Sequence, residues 1–348
     1  MSLSEIIFMA AFIVMILLIL FIDLGLFSKK YHVVAFRESA VWTTIWILLA
    51  MAFYVFLRFH GNLVHDINTM EQLHEQIARY QHAIDISGLG FSEAIRLYNI
   101  NLGLEYLTGY IIEKALSVDN VFVMILIFMS FGVDERYYKK VLFWGILGAI
   151  VLRFLFIFLS AALIQQFHWV LYIFGGFLLY TAIMMFYQSV RGIKKVIDTR
   201  NHPVVRFLSK NFRVYPSYVR HKFFITKNHK TYITPLFIVL MVVEFTDVIF
   251  AVDSIPAIFS VTKDPYIVFF SNVFAIIGLR SLFFLISNMV SRFRYLKYGL
   301  SLLLGYVGVK MLLPAFTDIH ISTRVSLLVI LAILGLSVLA SLFVKRES

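Results

Sequence analysis

Residues 109–122 read GYIIEKALSVDNVF, and residues 243–256 read VEFTDVIFAVDSIP. Aligned without a gap, Glu113 falls on Asp247, Asp119 on Asp253 and Asn120 on Ser254. The next apolar stretch carries IVLRFLF (150–156) after the first copy and IGLRSLF (277–283) after the second, which places Arg153 on Arg280. The third carries LLYTAIMM (178–185) and LLGYVGVKM (303–311), which places Met184 on Lys310. Apolar matches alone mean little. Matched charges at fixed spacing, in segments otherwise free of charge, read as a duplicated three-segment unit.

The surrounding chain says what kind of segments these are. Of 348 residues, 61% are hydrophobic and mean hydropathy is +0.86, against about 45–50% apolar in soluble domains. The excess falls in blocks of about 20 residues, the length at which a helix crosses a bilayer core of about 30 Å. Nine spans are expected, at 5–27, 40–58, 104–130, 140–163, 168–190, 235–260, 266–289, 299–316 and 325–344. The fold class is therefore an all-α polytopic membrane protein. The first span lacks a basic n-region and a small-x-small cleavage site, so it reads as a retained helix.

The net charge of +11 fits the tendency of Lys and Arg to collect on the cytoplasmic side of a membrane. It needs no nucleic-acid partner. With the N-terminus outside, Arg58, Arg79, Arg96, Lys263 and Arg324 are the outer basic residues, while the loop from Arg191 to Lys230 alone puts eleven inside. That bias predicts N-out, C-in. The organisation is then two N-terminal helices (1–58), an extracytoplasmic loop (59–103), a first repeat (104–190), a basic cytoplasmic loop (191–234), a second repeat (235–316), and a final helix and tail (317–348). Three is odd, so the two repeats enter from opposite sides, a recurring plan among secondary transporters.

In the loop 59–103, Ile67, Met70, Leu73, Ile77 and Ile84 recur at helical spacing and predict an amphipathic helix. His60, His65, His74 and His82 in the same loop read as surface histidines. The loop 191–234 interleaves its basic residues with Phe207, Phe212, Tyr215, Phe223 and Phe224, which suits anionic lipid headgroups.

An ionised side chain at the bilayer centre costs at least about 2.5–3.5 kcal/mol. The spans hold Glu105, Glu113, Asp119, Glu244, Asp247 and Asp253 against Lys114, Arg153, Arg280 and Lys310. Glu105 stands at the outer end of its span and reads as interfacial. If every group is ionised, two carboxylates remain in excess, a match for one divalent cation. At 100° per residue, Glu113 and Asn120 share a face, as do Asp247 and Ser254. Asp119 and Asp253 lie about 120° around and about 9 Å along. Either two helices contribute to one site, or a helix unwinds, and Pro256 favours a break in the second copy. Carboxylate, amide and hydroxyl donors without sulfur suit Mn²⁺, Mg²⁺ or Ca²⁺. The chain has no cysteine, which excludes disulfides and thiolate sites. There is no P-loop and no G-x-S-x-G, so neither an enzyme nor a bound organic cofactor is expected.

The segments LTGYIIEKALSVDNVFV (107–123) and VEFTDVIFAVDSIPAIFSVTKDPYIVFFSNVFAIIGLRSLFFL (243–285) resemble the TerC family, named for tellurium resistance, and its Alx-type members most. The similarity runs from Asp23-Leu24-Gly25 to about Met311. Met184 departs from it, since relatives often carry Lys in both halves, and the loop 59–103 is longer than usual. The resemblance implies a bacterial inner-membrane protein that exports Mn²⁺. It would place the metal on Glu113, Asp119, Asn120, Asp247 and Asp253, with Glu244 as a further candidate. From the residues themselves, Ser254 joins this set by sharing the Asp247 face, and Arg153, Arg280, Lys114, Lys310 and Glu105 are the expected charge partners. Protons are the expected exchange partner. The alternatives are a membrane scaffold that assists metallation or insertion of partner proteins, and a tellurium-oxyanion resistance protein.

Overall fold

The computed structural model describes residues 3–23, 36–167, 169–191, 202–287, 296–317 and 321–343. Twelve helices are described: α1 (Leu3–Asp23), α2 (Phe36–His60), α3 (Met70–Tyr80), α4 (Phe91–Ser130), α5 (Glu135–Gln166), α6 (Val170–Val190), α7 (Pro203–Asn211), α8 (Pro235–Phe259), α9 (Pro265–Ile277), α10 (Leu279–Ser287), α11 (Leu296–Leu312) and α12 (Thr323–Phe343). Strands β1 (Phe224–Lys227) and β2 (Lys230–Ile233) form one antiparallel hairpin.

Seven of these helices are long and apolar enough to cross a membrane, and α9 with α10 adds an eighth if that bent pair is one span. Their outward faces are apolar: Leu48, Ile183 and Leu328 are each more than 60% exposed. In water such faces would be costly. In lipid they are the expected surface. The 40-residue α4 is not among the seven, because Glu105, Glu113, Lys114 and Asp119 interrupt its apolar run. It is nonetheless the centre of the bundle, with α2, α8, α9 and α10 packed around it.

The two ends of the bundle differ. One carries a cap, made of a 3₁₀ turn (Gly61–Val64), α3 and the first turns of α4. The other carries α7 and the hairpin. Helix α4 runs from the cap towards the hairpin, and α8 runs back. Glu105 of α4 meets Thr262 just beyond α8 at the cap end, and Tyr218 beside the hairpin donates to the Phe131 carbonyl at the far end of α4. The antiparallel course of α4 and α8 is the geometry an inverted repeat requires.

Several expectations shift in detail. Helix α4 begins at Phe91, well before 104, so the end of the expected loop 59–103 is helical. The amphipathic helix in that loop covers only Met70–Tyr80, with a capping box from Thr69 and Gln72; Ile67 and Ile84 lie outside it. The loop 191–234 is not featureless in its described part. Asn228 and His229 both adopt positive φ, the backbone that a tight two-residue hairpin needs.

The expected break at Pro256 is absent, and α8 runs through to Phe259. Only three residues follow the proline within the helix, so little of the helix is left to distort. The break falls instead at Gly278, where α9 and α10 meet at 43°. A side chain there would sit 2.9 Å from Lys114 Nζ and 3.2 Å from Trp46 Cβ. Lys114 donates to the Ala275 carbonyl at 3.4 Å, so a cation meets the negative end of the broken helix.

Two kinds of packing hold the bundle. Phe12, Phe53, Phe270 and Phe274 join α1, α2 and α9, with centroids 4.4 Å apart for Phe12–Phe270 and 4.8 Å for Phe53–Phe274. Helices α6 and α11 instead approach through glycines. A Cβ on Gly308 would lie 3.0 Å from the Gly175 carbonyl oxygen, the small-residue contact typical of membrane helices. We predict that Gly308→Val costs about 1–3 kcal/mol, measured as a lower thermal midpoint in detergent; an unchanged midpoint would contradict this packing.

Candidate functional site

Arg153 of α5 is 1% exposed in the middle of the bundle. Its Nη1 donates to Glu113 Oε1 on α4, to Asn272 Oδ1 on α9, and to Ser254 Oγ on α8 at 3.4 Å. Its Nη2 donates to Asp247 Oδ1 on α8 at 3.4 Å. One guanidinium therefore ties three helices to a fourth. The position follows from helical geometry. Glu113 and Asp247 lie on the apposed faces of the antiparallel α4 and α8, and Ser254, seven residues after Asp247, shares its face.

The cluster is not fully satisfied. Glu113 Oε2, Asp247 Oδ2 and Arg153 Nε are buried with no hydrogen-bond partner. Two carboxylate oxygens thus remain open at the centre of a water-poor interior, where an unmade interaction is expensive. A small cavity reaches Asp247 between α4, α5, α8 and α10, lined by Met124, Leu142, Ile146, Val243 and Leu279.

Other expected site residues are placed differently. Asn120 is buried on the Glu113 face of α4. Asp119 and Asp253 are half-buried, and Asp253 accepts from Thr181 of α6 at 3.2 Å, away from the Arg153 cluster. Both helices stay regular here, so the 120° offset keeps these carboxylates off the central face. Among the described residues, no group of three or more His, Asp or Glu is arranged to hold a metal. Glu244 lies one turn from Asp247 towards the hairpin end. Its carboxylate rests where a side chain on Gly148 of α5 would be, and Oε2 is buried without a partner. Arg280 is half-buried on α10, and the described ion pairs to Glu113 and Asp247 come from Arg153. Lys114 serves the α9–α10 break. Lys310 is half-buried on α11.

Glu105, at the outer end of its span, is buried within the protein. It is 2% exposed and accepts from Asn101 Nδ2 at 2.7 Å and from Thr262 Oγ1 at 2.6 Å, with His82 Nδ1 at 2.9 Å. Beside it, His65 places Nδ1 at 3.1 Å from Glu5 of α1 and Nε2 at 2.8 Å from Asp264. Two of the four supposed surface histidines are therefore buried against carboxylates. Burial alone would lower the His65 pKa, but Asp264 and Glu5 outweigh it and raise the value to about 9. Burial likewise opposes protonation of His82, and Glu105 reverses it.

Asn272, Glu5, His65, His82 and Asp264 were not expected at any site. Asn272 left one usable trace, a lone amide inside an apolar span that aligns with no charged partner.

We predict that Arg153→Met leaves two buried carboxylates uncompensated and costs about 3–5 kcal/mol of stability. Adding Glu113→Gln and Asp247→Asn should restore most of the thermal midpoint. Failure of the triple variant to recover would mean that Arg153 acts by shape and not by charge.

The chain matches the model of the integral membrane protein TerC family over residues 98–348. It is 39% identical over 339 residues to an uncharacterized membrane protein of Myxococcus xanthus, covering 97% of this chain and 93% of the relative. It is 39% identical over 337 residues to a candidate membrane-bound redox modulator, Alx, of Escherichia coli K12, covering 96% and 94%. The Salmonella typhi protein of the same name is 38% identical over 339 residues, covering 97% and 94%. No solved structure matches.

Proposed function

This chain belongs to the TerC family of integral membrane proteins, and from that premise we propose that it is a secondary transporter exporting a divalent cation, Mn²⁺, from the cytoplasm in exchange for protons. The observation that carries the reading is Arg153, held by Glu113 and Asp247 while each of those carboxylates keeps one oxygen open. In the empty state the guanidinium supplies the positive charge the carboxylates need. An arriving cation would replace it. The oxygens within reach are two carboxylates, the Asn272 amide and the Ser254 hydroxyl, a hard donor set without sulfur. In this reading the ligand set narrows to Glu113, Asp247, Ser254 and Asn272. Asn120 stands close by, while Asp119 and Asp253 stand further along the route.

Glu244 extends the reading towards the hairpin end, which the charge bias assigns to the cytoplasm. It stands one turn before Asp247 with an open, buried oxygen, suited to pass an ion or a proton to the central pair. The basic, aromatic surface of α7 and the hairpin would rest against anionic headgroups of the bacterial inner membrane. Phe207, Phe212 and Phe224 are each more than half exposed there.

Two competing readings fare less well. An oxyanion transporter needs an arginine free to meet its substrate, and Arg153 is already engaged by four oxygens. A scaffold for metallation or insertion of partner proteins leaves the open oxygens of the central carboxylates without a task. The relatives' name raises redox modulation. With no cysteine in the chain, any such effect would not use a thiol of its own, and metal supply is the route this reading offers.

The deciding experiment is Mn²⁺ flux into proteoliposomes with a pH indicator inside. Wild type should move Mn²⁺ with protons in counterflow. Glu113→Gln and Asp247→Asn should each lower flux by at least about tenfold. Asp119→Asn and Asp253→Asn should slow it less than those two. Absence of flux in folded wild-type protein would favour the scaffold.

A further inference from the structure

The cap end holds a second buried polar centre that the Arg153 site does not use. Three observations bear on it. The first concerns protons. A neutral imidazole carries one N–H and one lone pair, yet both nitrogens of His65 face carboxylate oxygens, at 3.1 Å and 2.8 Å. A lone pair aimed at a carboxylate would repel it. The axis Glu5–His65–Asp264 therefore needs a hydrogen in each gap, one more than a neutral histidine between two carboxylates provides.

The second observation is what the axis joins. Glu5 belongs to α1, His65 follows the 3₁₀ turn of the cap, and Asp264 is the N-cap of α9. The cap is otherwise held by Val64, Ile67, Leu73 and Ile86, all buried. The third is where it sits. Glu105 precedes Glu113 by eight residues on α4, and Asp264 precedes Asn272 by eight on α9. Both centres thus lie on the same two helices, about 12 Å apart along them, with the cap as the cover between the Arg153 site and that end of the bundle.

We propose that Glu5, His65 and Asp264 form a proton-binding site whose single proton locks residues 61–90 over the cap end of the bundle, and that release of this proton unlocks them. The place of this lock in a transport cycle rests on the transporter reading; the lock itself does not.

The neighbouring groups set the conditions. Tyr80 of α3 and Tyr266 of α9 pack on the His65 ring, at 5.2 Å and 5.0 Å. Tyr98 of α4 stands edge-on to His82 at 5.4 Å. His82 and Glu105 form the adjoining pair. Lys310 of α11 acts on Glu105 through space. Arg79 lies over Tyr80 and Lys263 donates to Gln81, both towards the surface. Asp66 is tied to Ser4 of α1 at the exposed rim. These cations favour loss of the proton, and the three buried carboxylates favour its retention. The sign follows from linkage: a histidine raised from 6.5 to about 9 stabilises the locked state fully below pH 6.5 and loses that contribution as pH rises through about 9.

The test is hydrogen exchange of residues 61–90 in the full protein in nanodiscs from pH 6.5 to 10.5, corrected for intrinsic exchange, with residues 203–233 at the other end as the control. For wild type the opening equilibrium of 61–90 should rise about tenfold per pH unit between about pH 6.5 and 9 and level off above that, with no such rise in the control. Glu5→Gln gives the sharper readout. The amide introduced at position 5 can donate to Nδ1, so a neutral His65 satisfies both sides. The cap should then stay protected, with the pH dependence gone. His65→Gln should be weakly protected at every pH. A flat wild-type profile, or a Glu5→Gln profile with the wild-type pH dependence, overturns the proposal. Neither outcome depends on metal flux, so a protein that moves no Mn²⁺ leaves the result standing.

Discussion

A guanidinium buried at the meeting of four helices is the constraint on which this bundle depends. Arg153 cannot stay charged in lipid without partners, and its partners cannot stay charged without it. That mutual requirement draws Glu113 of α4, Asp247 and Ser254 of α8 and Asn272 of α9 to one point. The apolar contacts around them could form in many registers, because lipid competes equally for apolar surface. The polar cluster selects one register. Its stability is incomplete by construction, since two carboxylate oxygens are left open. A group that both fixes a structure and leaves acceptors unfilled is suited to exchange partners.

The rest of the molecule divides along the same axis. Lys114 meets the Ala275 carbonyl at the broken α9–α10 helix and acts on Glu113 through space. Glycine contacts let α6 and α11 pack closely while their outer faces stay apolar. At one end, His65 lies between Glu5 and Asp264 and His82 against Glu105. At the other, a basic helix and hairpin present aromatic residues outward. Charge is therefore stationed at three depths: the cap cluster, the Arg153 cluster, and Glu244 one turn beyond it.

Much of this was legible in the sequence, for a physical reason. Charges inside apolar runs are so costly that their spacing carries information, and Glu113, Asp247, Arg153 and Ser254 could be named from it. Helical phase also gave the separation of Asp119 and Asp253 from the central face. What stayed hidden depended on tertiary partners. Asn272 has no charge to mark it. His65 and His82 look like surface residues until the cap folds over them. Glu105 stands at the outer end of its span, and its burial against His82 and Thr262 needs the folded cap. Pro256 suggested a break that α8 does not have, because a proline so near a helix end disturbs few bonds. The true break at Gly278 depends on Lys114 and Trp46 filling the space of an absent side chain. The hairpin in the basic segment turned on two positive-φ residues, Asn228 and His229, which composition alone does not single out.

The central claim is that a divalent cation takes the place of Arg153 between Glu113 and Asp247. The most direct measurement is a structure of the Mn²⁺-loaded protein with the metal located by its anomalous scattering. The account predicts one Mn²⁺ bound by oxygens of Glu113 and Asp247, with the Arg153 guanidinium withdrawn from both. Metal bound elsewhere, with the Arg153 ion pairs intact, would contradict it.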